Sequence, residues 1–202
     1  MSHNTAIFAA ACLSLSLITA PALADDSSNK VLTVYTYDSF VSDWGMGPLI
    51  KPTFEQQCAC TLNLVGMDDA VAMLQRLKLE GASSPADLVL GLDLNLVDDA
   101  KKSGLFTSHS VDTNSLEMPI AWQDDTFVPF DYGYFAFVYN TELMPNPPKS
   151  LDELVSAGPE LKIIIQDPRS STPGLGLLLW MKSVYGDQAD AAWAKLSDNI
   201  LT

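Results

Sequence analysis

The chain has 202 residues, 48% of them hydrophobic and 18% charged, with a mean hydropathy of +0.13. Enough apolar surface is present to bury a core, which excludes disorder, collagen and low complexity. Eleven Lys and Arg stand against 25 Asp and Glu, a formal charge of −14. No basic run extends beyond Lys101-Lys102, so nucleic acid is not expected as a partner.

Residues 6–19 are uncharged and largely apolar, and Ala22 and Ala24 give the small-residue pattern cut by signal peptidase. This predicts a cleavable signal peptide over residues 1–24, although its first residues carry no Lys or Arg. The run is too short for a membrane span. Cys12 lies inside it with no basic residue ahead, so lipidation is not expected. Beyond the cut remain Cys58, Cys60 and one histidine, His109. In an exported chain the C-x-C pair reads as structural, closed as a small disulfide or packed as thiols, rather than as half of a metal site.

Val31–Tyr37 (VLTVYTY) is β-branched and aromatic and predicts a buried strand. A Gly-Pro loop at 44–48 follows, with Pro48 opening a helix to residue 57. Residues 61–66 alternate as a second strand. Asp68 or Asp69 then caps a helix with Val71, Leu74 and Leu77 on its apolar face, ending at Gly81. Residues 87–92 predict a third strand and 95–103 a helix before Gly104. The order βαβαβα implies an open parallel sheet, on which ligands bind beyond the carboxyl ends of the strands.

Residues 127–139 (FVPFDYGYFAFVY) predict a long aromatic strand of the kind that crosses between lobes. Residues 151–155 predict a short helix and 163–166 a strand. Pro173 suits a helix start, with Ser171 or Thr172 as cap and the helix running to residue 185. Residues 187–197 predict a last helix with Trp193 and Leu196 on one face.

The chemistry these residues suggest is binding. No G-x-S-x-G, H-E-x-x-H or P-loop is present, and a single histidine beyond the leader makes a Ser-His-Asp triad improbable. Ser171-Thr172 at a strand-to-helix turn offers hydroxyls and free N–H groups to an anion, or is an ordinary cap. Asp68-Asp69-Ala70 is open in the same way between cap and ligand contact. Tyr37 and Trp44 could stack on a flat or cationic ligand, or simply pack.

The segments VLTVYTYDSF, DWGMGP, ADLVLGLD, DDTFVPFDYGYFAFVY and QDPRSSTPGLGLLLWMKSVYGD together resemble the thiamine-binding periplasmic proteins of bacterial ABC importers, from about residue 31 to 196. Even the C-x-C at Cys58 and Cys60 fits the family pattern. The resemblance implies a type 2 periplasmic-binding-protein fold of two α/β lobes: residues 25–130 the first lobe, 131–202 the crossing strand and a partial second lobe. It implies a non-enzymatic, monomeric periplasmic receptor that delivers thiamine, and its mono- and diphosphate, to a membrane permease, with no cofactor. Tyr37 and Trp44 match cleft aromatics, Asp69-Ala70 the first-lobe ligand loop, and Ser171-Thr172 the phosphate-holding pair. Ala70 stands where the family usually has glycine, so a contact needing positive φ would be lost. Family members continue for roughly another half of this length, which implies that this chain is a fragment whose second lobe is incomplete. The alternatives are a receptor for ferric iron or another small ligand in the same fold, and an exported hydrolase using a carboxylate pair.

Overall fold

The computed structural model describes residues 30–201; the expected leader and Cys12 lie outside them. A parallel sheet in the order β2-β1-β3 organises the first half. Strand β1 (Val31–Tyr37) pairs along its full length with β2 (Thr61–Met67), from Val31 opposite Thr61 to Tyr37 opposite Met67. On its other side runs β3 (Leu88–Val89), shorter than the six residues expected. Asp87 secures that edge twice: its carboxylate accepts from the Thr33 N–H at 2.8 Å and its own N–H donates to the Thr33 carbonyl at 2.9 Å.

Between β1 and β2 lie α1 (Asp38–Val41) and α2 (Met46–Cys58). Pro48 falls in the first turn of α2, where its missing N–H costs no helical bond. The helix ends at Ala59, in the left-handed region at φ 48°, inside a Cys58–Cys60 disulfide. Helix α3 (Ala70–Glu80) crosses from β2 towards β3 and buries Val71, Leu74 and Leu77, as their spacing requires, together with Met73. Gly81 ends it at φ 55°. After β3 comes α4 (Val97–Lys102), which adds Ala100 to the same core with Tyr35 and Leu96.

A second core gathers α5 (Leu151–Val155), α6 (Thr172–Tyr185) and α7 (Ala189–Leu196) around Leu154, Leu177, Met181 and Leu196. Ser150 caps α5 by accepting from the Glu153 N–H at 3.1 Å.

Two expected strands differ. Residues 127–139 form no ladder, and Tyr134 and Val138 are almost wholly exposed. Aromatic and β-branched residues favour extended backbone, but a strand needs a neighbouring segment to accept its hydrogen bonds. Among the described residues none pairs with this one. It packs through its rings instead: the Phe127 ring lies 5.1 Å from that of Phe106, and the Phe137 ring 6.2 Å from that of Trp180. Residues 163–166 contribute one parallel bridge, Ile163 to Ile200, rather than a strand. Among the described residues no helix is long and apolar enough to cross a membrane.

Leu74→Ala, emptying a site only 1% exposed, should destabilise the fold by about 2–5 kcal/mol in denaturant melts. Ala59→Gly should stabilise it by roughly 0.5–1 kcal/mol, because a Cβ is disfavoured in left-handed backbone, and its thermal midpoint should rise.

Candidate binding cleft

The carboxyl end of β1 delivers the first side chains of the cleft. Tyr37 ends that strand, and its ring lies against Gly91, where an added Cβ would sit 2.4 Å from Cδ1. Gly91 also has φ 108°, so both space and backbone favour glycine there. Tyr37 meets Phe40 edge-on at 5.7 Å, and Phe40 meets Phe130 at 5.9 Å. Burial pushes the Tyr37 hydroxyl above its ordinary range, and the negative charges of Asp131 and Asp69 push it further.

These groups open onto a cleft of about 530 Å³ lined by Tyr37, Asp38, Ser39, Ser42, Trp44, Asp68, Asp69, Gln166 and Pro173. The volume lies within the usual range for small-ligand sites. Trp44 stands at the rim, 79% exposed. Three carboxylates and no Lys or Arg line the space. Two aromatic rings with surrounding negative charge suit a flat cation.

Asp69 is the cap of α3. Its Oδ1 accepts from the Ala70 N–H at 2.8 Å, and its Oδ2 accepts from the Thr172 N–H at 2.9 Å. Ser171 caps α6, accepting from the Gly174 N–H at 3.4 Å, while its hydroxyl donates to the Gln166 side-chain oxygen. Pro173 is the second residue of α6, one place later than expected. Glycine at 174 lets the helix start close to residues 166–167: a Cβ there would lie 2.4 Å from the Gln166 carbonyl oxygen. Asp167 accepts the Ser170 and Ser171 N–H groups on its carbonyl, at 3.2 and 2.9 Å, and so shapes that turn.

Of the residues singled out in the sequence, Tyr37, Trp44 and Asp69 line one cleft. Ser171 and Thr172 stand behind Asp69 and reach the cleft through it. Ala70 is fully buried at the start of α3, and its backbone is not in the left-handed region. The glycine usual there in the resembled family is therefore not needed for conformation at this position. Asp38, Ser39, Ser42, Gln166 and Pro173 were not singled out as ligand contacts. The signal for Asp38 and Ser39 was available, since both directly follow the carboxyl end of the first strand. Among the described residues no group of three or more His, Cys, Asp or Glu is placed to hold a metal ion.

The family described as bacterial extracellular solute-binding protein matches residues 83–201. The chain belongs to that family. This solute-binding protein is 56% identical over 191 residues to the thiamine-binding periplasmic protein of Brucella suis biovar 1 (strain 1330), covering 94% of this chain and 57% of that one. It is 55% identical over 192 residues to the thiamine-binding periplasmic protein of Escherichia coli (strain K12), with 95% of this chain and 58% of that one covered. A solved structure titled periplasmic thiamin binding protein superposes with a TM-score of 0.81 at 57% identity, over 84% of this chain and 54% of that one. The substrate-binding fold is thus shared. The chain spans little more than half the length of these relatives.

The Arg169 guanidinium beside Asp167, with an Nη2–Oδ2 distance of 2.6 Å, pulls its carboxyl down to about 2. A lowered folded pKa means that the stabilisation is full above the ordinary carboxylate range and is lost as pH falls towards 2. The pair is exposed, so its effect on global stability is small. A carboxyl-carbon NMR titration should place the Asp167 midpoint near 2, and Arg169→Ala should return it towards the ordinary value.

Proposed function

We propose that this solute-binding protein captures thiamine in the cleft between its two cores and delivers it to an ABC-type membrane permease. The observation that carries the reading is the acidic, aromatic cleft around Tyr37, Trp44 and Asp69 in a chain so similar to thiamine-binding periplasmic proteins. The thiazolium ring of thiamine is permanently cationic. Aromatic faces attract it through their quadrupoles, and the carboxylates of Asp38, Asp68 and Asp69 add a favourable field. In the role proposed, the protein works in the periplasm as a monomer without a cofactor, after a leader over residues 1–24 is removed. Residues 25–130 form the first lobe, and 131–202 the crossing segment and part of the second.

Thiamine mono- and diphosphate are proposed as further ligands. Their phosphate ends would lie towards Ser171 and Thr172, where helix α6 offers amide donors and the positive end of its dipole. The Thr172 N–H is already bonded to Asp69, so a phosphate that uses it must displace that carboxylate. Ala70 contributes only through its backbone in this arrangement.

Tryptophan fluorescence of the 202-residue chain should quench saturably with thiamine, and Trp44→Ala, followed by calorimetry, should weaken binding roughly tenfold. The same titration on this chain fused to the carboxyl-terminal part of the Brucella relative is expected to give tighter binding. Absence of a saturable response in both forms would remove thiamine as the ligand.

A further inference from the structure

We propose that Lys51 and Glu55 guard the open edge of the sheet, occupying the outward backbone groups of Leu62 so that a second copy of the chain cannot add a strand to β2. The order β2-β1-β3 leaves one side of β2 without a partner strand among the described residues. The Thr61 N–H donates towards β1, to the Lys30 carbonyl at 2.7 Å, so the alternating groups of Leu62, Leu64 and Gly66 face outward. Both outward groups of Leu62 are taken. Its carbonyl accepts from Lys51 Nζ, and its N–H donates to Glu55 Oε1 at 2.8 Å. Lys51 and Glu55 stand one turn apart on α2 and pair with each other at 2.9 Å.

The Lys51 hydrogen bond first, and then the Leu62 N–H, hold the Glu55 carboxyl below its ordinary range, so the pair stays charged at neutral pH. The Cys58–Cys60 disulfide joins the end of α2 to the residue before β2. Gly47 lets the helix approach the strand, since an added Cβ would lie 2.9 Å from Leu64 Cδ1. The guard matters because the chain also carries a segment suited to that edge. Residues 133–139 (GYFAFVY) are uncharged, rich in aromatics and paired with no strand among the described residues. Tyr134 is 84% and Val138 96% exposed. An open edge and an unpaired segment of high strand preference are the two halves of a contact between copies. A strand that added at β2 would have to break the charge-assisted bonds at Leu62, and an apolar segment offers nothing to the released ammonium and carboxylate.

The test is sedimentation velocity over a concentration series. The double variant Lys51→Ala/Glu55→Ala should associate at a roughly tenfold lower concentration than the parent chain, as for charge-assisted bonds that association no longer has to break. Adding Val138→Pro should restore the parental concentration dependence. That proline removes an N–H from the incoming segment, at a position too exposed for the change to disturb either core. If the double variant does not fold, Lys51→Met decides by the same comparison, because it keeps the aliphatic stem and loses only the donor. Parental association in whichever variant remains folded overturns the proposal. So does an increased association that Val138→Pro leaves unchanged, since the contact would then lie outside that segment.

Discussion

Placement of the cleft depends on the parallel pairing of β1 between β2 and β3. The seven-residue register between β1 and β2 fixes where both strands end, at Tyr37 and Met67. Side chains immediately beyond those ends, Asp38 and Ser39 on one connection and Asp68 and Asp69 on the next, consequently meet on one edge. Parallel strands have all their carboxyl ends on the same side, so their outgoing loops gather there without any further instruction. A one-residue slip would turn Tyr35 outward from the core and move Tyr37 off Gly91.

The second half supplies the opposing wall by a different device. The residue 166–174 turn is held by backbone bonds to Asp167, by Gly174, which permits close approach, and by Ser171 bonding back to Gln166. It sets the start of α6 against the start of α3. Both helix ends carry partial positive charge, and the Asp69 carboxylate between them accepts one amide from each. The cleft is acidic and aromatic on one side and bounded by Gln166 and Pro173 on the other. Such polarity suits a ligand with a cationic ring.

Much of this was legible before any coordinates. The run VLTVYTY is strand from first residue to last because every position is β-branched, aromatic or leucine. The three-residue spacing of Val71, Leu74 and Leu77 gave α3 its buried face, and Ser171 or Thr172 before Pro173 marked the start of α6, where the structure makes Ser171 the cap. Residues 127–139 misled for a physical reason: their composition records a preference for extended backbone, and pairing depends on another segment that composition cannot name. The same holds for 163–166, where one bridge to Ile200 forms.

The sequence by itself determined most of the local choices: the segments that form the longer helices, the pairs Asp68 or Asp69 and Ser171 or Thr172 from which two caps are drawn, and that aromatics and carboxylates cluster after the first strands; the short α1 was not among them. Each of these follows from interactions within a few residues, encoded by spacing and side-chain type. Only the tertiary structure decided that Asp69, read as either a cap or a ligand contact, bonds to Thr172 in the other half of the chain. It likewise brought Gln166 and Pro173 to the cleft beside Tyr37 and Trp44. Those contacts span more than a hundred residues. They arise from how two cores pack and how two helix ends share one negative charge, and no local pattern specifies either.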